Sequence, residues 1–308
     1  MKNTRISTLI VVVMLIVSLF TGCGEKTANE PQGQTPVSVT DMMGRETSLE
    51  KPAEKVVALT ASDCEILYSL GAGDTVIARG EYCNYPEEAL AVQAVSSGSE
   101  TNLEQIIALK PDVVIMSAMA QTSEQVEVLK NAGIPVVMNN AKSIEEVYTS
   151  IEIIGKVVGK ETEAAALIDE MKAGFEEIAA SVTEKENKTV YFEVSPLEYG
   201  LWTAGKGTFM DEITTMLGMT NIFADVSDWA EISQEQVIER NPDYIVTITM
   251  GMEGQLPPAE EIMSRSGWQN ITAVSSSKVI TVDSDEISRP GPRLVDAAKG
   301  LREFFYGE

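Results

Sequence analysis

The chain has 308 residues, with 23 Lys and Arg against 47 Asp and Glu, no histidine, and a formal net charge of −24 at pH 7. A surface this acidic repels the phosphate backbone, which excludes nucleic-acid binding by counterion release, and the absence of histidine excludes Ser-His-Asp or Cys-His catalysis and histidine-based metal cages. The hydrophobic fraction of 44% is that of a globular protein, and the length favours two domains.

Residues 1–22 are predicted to be a lipoprotein signal peptide. Basic residues precede an uncharged apolar run of 12 residues, from Leu9 to Phe20. As a helix this run spans about 18 Å, which is too short for a bilayer core of about 30 Å. The run ends in Phe20-Thr21-Gly22-Cys23, which resembles a bacterial lipobox. We therefore expect lipidation of Cys23, a flexible tether over 23–36, and a protein anchored to the outer face of the bacterial cell membrane. An ordinary signal peptide with an incidental cysteine is the alternative.

Residues 37–142 are predicted to form an N-terminal lobe. Short apolar strands alternate there with amphipathic helices, a pattern typical of parallel α/β architecture. Strands are predicted at Val56–Leu59, Thr75–Ala78, Val113–Met116 and Pro135–Met138, and helices near Cys64–Leu70, Leu103–Leu109 and Ser123–Asn131.

Residues 143–183 are predicted to form one long linker helix. Apolar residues recur there at helical spacing, and interior Gly155 and Gly159 each weaken such a helix by only about 1 kcal/mol. The polar segment 184–187 ends the helix, and residues 184–308 form the C-terminal lobe. Its strands are predicted at Thr189–Val194, Tyr244–Thr249 and Lys278–Val282.

The second half of the chain repeats the first. Residues 65–71 match residues 212–218 in the frame E-I-x-x-x-L-G, and residues 104–112 match residues 235–243 with identical Glu-Gln and Pro-Asp pairs. Each copy of the second motif predicts a helix, a Pro-Asp turn that ends it, and a buried strand. The alternative is that the two halves are unrelated and share only the pattern common to all α/β proteins. That alternative explains the spacing of apolar residues but not the identical Glu-Gln and Pro-Asp pairs. The fold class is therefore two similar α/β lobes with parallel-rich central sheets, joined by one long helix, with a ligand cleft between them.

A set of motifs in fixed order resembles one family, the substrate-binding proteins of ABC importers for cobalamin and ferric siderophores. The motifs are the lipobox, Asp41-Met42-Met43-Gly44-Arg45, the 65–71 unit, Tyr82-Cys83-Asn84-Tyr85-Pro86-Glu87-Glu88-Ala89, Asn102-Leu103-Glu104 with Lys110-Pro111-Asp112, and Gly291-Pro292-Arg293. The resemblance covers essentially the whole mature chain. It implies a small-molecule metal chelate bound between the lobes with little hinge closure, and docking on a permease dimer with its ATPase subunits.

The resemblance also implies permease docking through one glutamate on each lobe. The matching positions are Glu104 and Glu235, which the internal repeat relates to each other, as a two-fold partner requires. The alternative is that both are first-turn helix glutamates favoured by the helix dipole, with Asn102 and Ser233 as caps. Asp211 and Glu212 are further docking candidates on the second lobe.

Candidate ligand residues lie on loops that follow strands. Aromatic rings at the Tyr82, Trp202 and Trp229 positions are implied by the resemblance to the cobalamin-binding proteins, and large flat rings suit burial of a corrin. The alternative is that Trp202 and Trp229 plug loops onto sheet edges. The full set of predicted ligand-binding residues is Ser62, Tyr82, Tyr85, Tyr199, Trp202, Trp229 and Arg289.

The basic residues available near the cleft are few: Arg79, Lys206, Arg289 and Arg293. Because binders of anionic ferric siderophores place several basic groups in the cleft, this supply favours cobalamin or another corrinoid over a ferric siderophore or haem. We expect no protein-held cofactor and no direct metal ligands, since the chelate already holds its metal.

Three other kinds of protein remain as alternatives. A two-lobed metal-cluster enzyme needs more ligands than Cys64 and Cys83, whose pairing the sequence leaves open. A carboxylate-only hydrolase could use Asp63 and Glu193, although nothing in the spacing supports it. A structural surface lipoprotein without a ligand is the third possibility. We expect a binding protein and not an enzyme.

Overall fold

The computed structural model describes residues 35–182, 188–248 and 256–307. The predicted signal peptide, Cys23, nearly all of the tether and the polar segment that ends the linker lie outside the described residues. Within the described ranges no helix combines the length and apolarity that a bilayer span requires.

The N-terminal lobe is built on a five-stranded parallel sheet with the order β5-β4-β3-β6-β7. Its central strands are buried on both faces, because helices cover the sheet from either side, and their sequences are accordingly continuous apolar runs. The predicted strands and the first predicted helix are confirmed with shifted ends and the two later helices with their predicted ends, while the strand bounds of the preceding β1–β2 hairpin and the short β5 were not predicted. The elements are β1 (Val37–Thr40), β2 (Glu46–Leu49), β3 (Val56–Ala58), α1 (Ala61–Ser69), β4 (Val76–Gly80), β5 (Ala94–Val95), α2 (Leu103–Leu109), β6 (Val113–Ser117), α3 (Ser123–Asn131) and β7 (Val136–Asn139).

The predicted single linker helix is instead two helices, α4 (Ile144–Val158) and α5 (Glu161–Ser181). Gly159 ends α4 with a left-handed φ of +68°, which glycine adopts without strain. Gly155 lets the helices approach, since a Cβ there would lie 2.6 Å from the Cβ of Ala164. Of the two glycines that the periodicity treats as tolerated defects, Gly159 therefore ends the helix and Gly155 allows the next helix to pack closely against it.

The C-terminal lobe is built on a four-stranded parallel sheet with the order β10-β8-β12-β13, accompanied by a separate antiparallel ribbon of β9 and β11. The three strands predicted here are confirmed with shorter ends, and the ribbon was not predicted. The elements are β8 (Thr189–Glu193), β9 (Leu201–Ala204), α6 (Phe209–Met216), β10 (Thr220–Asn221), β11 (Trp229–Ile232), α7 (Gln234–Arg240), β12 (Tyr244–Thr247), α8 (Pro258–Ser264), α9 (Thr272–Ser275), β13 (Val279–Thr281), α10 (Ser284–Ser288) and α11 (Leu294–Tyr306).

The internal repeat is present in three dimensions. Its first motif forms α1 in one lobe and α6 in the other, and both helices are followed by a left-handed glycine, Gly71 at φ +66° and Gly218 at φ +70°. The two glutamates of the repeat, Glu65 and Glu212, both accept hydrogen bonds from segments of the chain that pass between the lobes. Glu65 accepts hydrogen bonds from arginines just before α11, and Glu212 accepts one from the backbone N–H of Ile144 at 2.7 Å.

The aspartates of the two repeated Pro-Asp pairs make equivalent hydrogen bonds in the two lobes. The carboxylate of Asp112 accepts the backbone N–H groups of Glu54 and Lys55, each at 2.9 Å, just before β3. The carboxylate of Asp243 accepts the backbone N–H of Thr189 at 3.0 Å, at the start of β8. Each aspartate therefore satisfies backbone donors where a neighbouring strand begins, which is a physical reason for the Pro-Asp identity in both copies.

One apolar core extends through both lobes. Buried side chains of α1 and β3 pack in the same cluster as those of α4 and α5, and this cluster continues to β8, β12 and α11. Ile154 and Ile168 are among the linker residues that it contains. Two smaller clusters lie on the other faces of the two sheets. The linker helices therefore belong to the core instead of forming an exposed connection.

Candidate functional site

A cavity of about 200 Å³ lies where the N-terminal lobe meets the segment that precedes α11. It is formed by the loops that leave the carboxyl ends of β3, β6 and β7, the position at which α/β sheets bind ligands. The structure brings the predicted ligand residues Ser62 and Arg289 together here. The lining residues are Thr60, Ala61, Ser62, Asp63, Ser117, Met119, Ala120, Asn139, Asn140, Ala141, Ser150, Ser288, Arg289 and Pro290.

The polar floor of this cavity is a hydrogen-bonded pair, Asp63 and Asn139. Asp63 is 1% exposed, and one of its carboxylate oxygens accepts the Nδ2 of Asn139 at 2.5 Å while the other accepts the hydroxyl of Thr60. Burial raises the pKa of Asp63 to about 6, against the lowering effect of these hydrogen bonds. The Oδ1 of Asn139 has no hydrogen-bond partner among the described residues. Asn139 was not predicted as a site residue, and its position as the last residue of β7 is the one local feature that marks it.

Arg289 is held by several acceptors. Its Nη1 donates to the carboxylate of Glu65 and to the Oδ1 of Asn84, both at 2.8 Å, and its Nη2 lies 2.7 Å from the carboxylate of Asp285. Its charge is therefore already matched by carboxylates of both lobes. Arg293 binds the same Glu65 carboxylate, so the two arginines attach the segment before α11 to α1. Glu65 was not predicted as a site residue, because its partners are more than 220 positions away.

Three predicted aromatic ligand residues present their rings to solvent. Tyr82 follows β4 and is 72% exposed, Tyr199 ends a turn after β8 and is 69% exposed, and Trp202 on β9 is 39% exposed. Exposed aromatic rings of this size often mark a surface that contacts a ligand or a partner, so these three residues are candidates for the rim of a ligand site. None of the three lines the cavity that holds Ser62 and Arg289.

Trp229 lies on β11, opposite Ala204 of β9, while Trp202 lies opposite Glu231. Because directly paired residues of an antiparallel ribbon share a face, both tryptophans lie on the same face of the ribbon. Trp229 packs edge-on against Phe209, with ring centroids 5.8 Å apart, and its Nε1 has no partner among the described residues. Trp229 thus has a packing role and a free donor, whereas Trp202 is partly exposed.

Tyr85 occupies a different part of the surface from Ser62 and Arg289. Its ring lies 4.3 Å from the guanidinium carbon of Arg293. It lines a groove of about 480 Å³ formed with α5 and α11. The structure therefore separates Tyr85 from the cavity residues with which the sequence grouped it.

The remaining charged candidates have defined positions. Arg79 is buried and donates to the backbone oxygens of Ala89 and Gly80, whereas Lys206 is exposed. Glu193, considered for hydrolysis, is fully buried and forms a bidentate pair with Arg265 at 2.9 and 3.0 Å. Glu193 is therefore committed to the core of the C-terminal lobe and does not meet Asp63.

Glu104 and Glu235 are exposed and occupy the second position of α2 and α7, respectively. The predicted caps are present, since Asn102 accepts the backbone N–H of Gln105 and Ser233 accepts that of Gln236. Each helix leads into the amino end of a central strand, β6 or β12, so its N-terminus lies towards the carboxyl-end edge of that sheet. The other two docking candidates are engaged: Asp211 accepts the Nδ2 of Asn221, and Glu212 accepts the N–H of Ile144.

Cys64 and Cys83 are free thiols, both buried. They contact each other, and the hydrogen bond with Cys64, together with burial, raises the pKa of the Cys83 thiol. The described part of the chain contains no group of three or more Cys, Asp or Glu side chains that could hold a metal ion.

Comparison with known proteins finds periplasmic and other substrate-binding proteins. A family model described as periplasmic binding protein matches residues 56–286. The chain is 35% identical, over 96% of its length and 95% of the relative's, to the "uncharacterized ABC transporter substrate-binding lipoprotein YvrC" of Bacillus subtilis. It is 30% identical to the vitamin B12-binding protein of Vibrio campbellii, over 82% of this chain and 90% of that one. A solved structure of a possible iron-binding (periplasmic solute-binding) protein from Staphylococcus epidermidis superposes with a TM-score of 0.71 at 31% identity, over 83% of this chain and all of that one.

Proposed function

Because the chain belongs to the periplasmic binding protein family, we propose that it is the substrate-binding protein of an ABC importer. It captures a metal chelate outside the cell and delivers it to a membrane permease dimer with its ATPase subunits. The observation that carries this proposal is the match over nearly the full length of both chains to a substrate-binding lipoprotein. The cavity at the carboxyl ends of the strands, bordered by residues of both halves of the chain, supports it.

A corrinoid is the ligand that we propose. A vitamin B12-binding protein is among the relatives at 30% identity, and exposed aromatic rings at Tyr82, Tyr199 and Trp202 suit a large flat ligand. The arginines near the cavity are paired with carboxylates, which leaves little positive charge for an anionic chelate. A ferric siderophore or haem is the second candidate, favoured by the similarity to the iron-binding protein.

Native mass spectrometry of the protein purified from its own host tests the ligand assignment. We expect a corrinoid to co-purify, and titration of the emptied protein with cyanocobalamin to give a dissociation constant of about 1 μM or below. Haem and a ferric siderophore serve as comparison ligands in the same titration. Tighter binding of either would replace the corrinoid assignment, whereas no binding of any of them would contradict the importer proposal.

Glu104 and Glu235 are proposed as the permease contacts. Each is exposed and each is the second residue of a helix that leads into a central strand, and the internal repeat relates the two positions, which supports a matched pair of contacts on the two lobes. Carboxylates in this arrangement can form directional and reversible bonds to arginines of two permease subunits. The cap bonds of Asn102 and Ser233 stabilise the helix ends independently of that role.

Anchoring by lipid at Cys23 is part of the proposal. The cysteine follows an apolar segment and small residues, and the relative from Bacillus subtilis is called a lipoprotein. A Cys23→Ser variant is expected to leave the membrane fraction while keeping its ligand affinity. Unchanged fractionation of that variant would rule out anchoring through this residue.

A further inference from the structure

The cavity at the junction of the lobes is too small for a whole chelate. Sites for complete small molecules typically measure about 300–1,000 Å³, whereas this cavity has about 200 Å³. It can accept one group that projects from a larger ligand lying in the cleft above it. The chemistry of its walls then decides which group that is.

The floor offers hydrogen-bond acceptors. The Asp63 carboxylate is buried, and within the described chain its hydrogen bonds come from Thr60 and Asn139 without any cation. The Oδ1 of Asn139, a side chain that is 5% exposed, has no donor. A buried acceptor without a partner costs free energy, so an entering donor would be favoured there.

The charges around the cavity disfavour an anion. Among the described residues that line it, Asp63 and Arg289 are the charged ones. Arg289 is matched by the carboxylates of Glu65 and Asp285, at 2.8 and 2.7 Å, so its positive charge is compensated. Asp63 has no such compensation. A carboxylate entering this cavity would meet a second carboxylate in a poorly solvated site.

We propose that this cavity is a subsite for one hydrogen-bond-donating group of the ligand that carries no negative charge, a primary carboxamide in the case of a corrinoid, and that Asp63 and Asn139 together select it over a carboxylate. A carboxamide NH₂ has two donors, which match the Asp63 carboxylate and the free Oδ1 of Asn139. This inference rests on the proposed role as a chelate-binding protein and adds to it the ligand chemistry that the protein accepts. A cationic ammonium group would also fit, whereas a propionate would not.

Matched ligand pairs test the inference without depending on a variant that folds. At about pH 7.5 the pKa of Asp63 leaves it mostly ionised. Wild-type protein is titrated with cyanocobalamin and with each monocarboxylic acid made by hydrolysing one peripheral carboxamide. We expect at least one of these acids to bind about tenfold or more weakly than cyanocobalamin. The same affinity for every acid would overturn the proposal.

The variant Asp63→Asn then attributes the discrimination to this residue. It is expected to reduce the penalty on that same acid to about threefold or less, while Asp74→Asn, which removes an exposed carboxylate of the same lobe, leaves the penalty unchanged. Equal effects of the two variants would show a long-range charge effect and would contradict a subsite.

A second ligand pair separates this inference from the corrinoid assignment. Ferrioxamine B carries an ammonium group, and its N-succinyl derivative carries a carboxylate in that place. If cyanocobalamin does not bind but ferrioxamine B binds about tenfold more tightly than its succinyl derivative, the corrinoid assignment fails and the subsite stands. Haem binding that is unchanged in Asp63→Asn would overturn the subsite. The absence of binding by every probe would contradict both.

Discussion

The carboxylate of Glu65 accepts both the Nε and the Nη2 of Arg293, at 3.0 and 2.8 Å. Two sequence motifs at opposite ends of the chain thus meet in one contact, and Arg289 adds a third hydrogen bond to the same carboxylate. The contact fixes the segment before α11 against α1 and so forms one wall of the cavity.

Replacing Glu65 with Ala is expected to destabilise the protein by about 3–5 kcal/mol, because two largely buried arginines would lose their shared carboxylate. Chemical denaturation of both proteins measures the change in the free energy of unfolding. Glu54→Ala is the control, since Glu54 belongs to an exposed pair with Lys51 and should shift stability by less than about 1 kcal/mol. Similar losses in both variants would show that the buried pair contributes no more than an exposed one.

Replacing both Glu104 and Glu235 with Ala is expected to abolish ligand-dependent stimulation of the transporter ATPase, with ligand affinity unchanged within about twofold. The measurement uses the purified transporter in lipid. Glu124→Ala is a matched control, because Glu124 is also an exposed glutamate at the second position of a capped helix, α3. Full stimulation by the double variant would remove these residues from the interface.

Trp202→Ala is expected to weaken ligand binding about tenfold with little loss of stability, because its ring is partly exposed. Trp229→Ala is expected to lower stability as well, by roughly 3 kcal/mol, since its ring packs on Phe209. Titration calorimetry and denaturation separate the two effects. Trp268 is fully buried in the core of the C-terminal lobe, so the variant Trp268→Phe serves as the reference for the fluorescence of a tryptophan that solvent does not reach. Unchanged affinity in Trp202→Ala would exclude it from the site.

The titration of Asp63 predicts a pH dependence of stability. Its folded-state pKa of about 6 lies above the ordinary value of 3.8, so between these values the folded protein holds a proton that the unfolded chain has released. The free energy of unfolding therefore falls by about 3 kcal/mol as pH rises through this window. Asp63→Asn is expected to remove that slope, measured by urea denaturation from about pH 4 to pH 7. An identical slope in the variant would show that Asp63 does not carry the proton.

Cys64 and Cys83 are expected to resist alkylation in the native protein, because both are buried and the pKa of Cys83 is raised. Iodoacetamide treatment followed by mass spectrometry should label both after denaturation and neither before it. A pair that stays unlabelled after denaturation but reacts once a reductant is added would reveal a disulfide between them. Native labelling would contradict the burial.

Local patterns in the sequence predicted the lobes well. The apolar runs gave the central strands, and α2 and α3 match their predicted bounds because a cap and a turn residue mark each end. The linker could not be predicted in the same way. Helical periodicity continues across Gly159, and the left-handed conformation that ends α4 there is accompanied by close packing of Gly155 against Ala164 of α5, which is a tertiary property and not a local one.

The candidate site was likewise predictable from the sequence only in part. Positions after strands identified Ser62 and Asp63, since any residue there lies at the carboxyl end of a parallel sheet. The partner of Asp63, Asn139, lies 76 positions away, and the arginines of Glu65 lie more than 220 away. Such pairings depend on the order of the strands in the sheet and on the path of the chain from one lobe back to the other. The local spacing of residues in the sequence predicts neither of these.

The apolar core that runs unbroken through the linker helices has a consequence for how the ligand would leave. Swinging the lobes apart would uncover side chains such as Ile154 and Ile168, and each 100 Å² of apolar surface exposed costs about 2.5 kcal/mol. Spontaneous opening would therefore be rare. A permease that held Glu104 on one lobe and Glu235 on the other would have to do mechanical work on the protein, so that unloading takes place at the membrane and not in free solution.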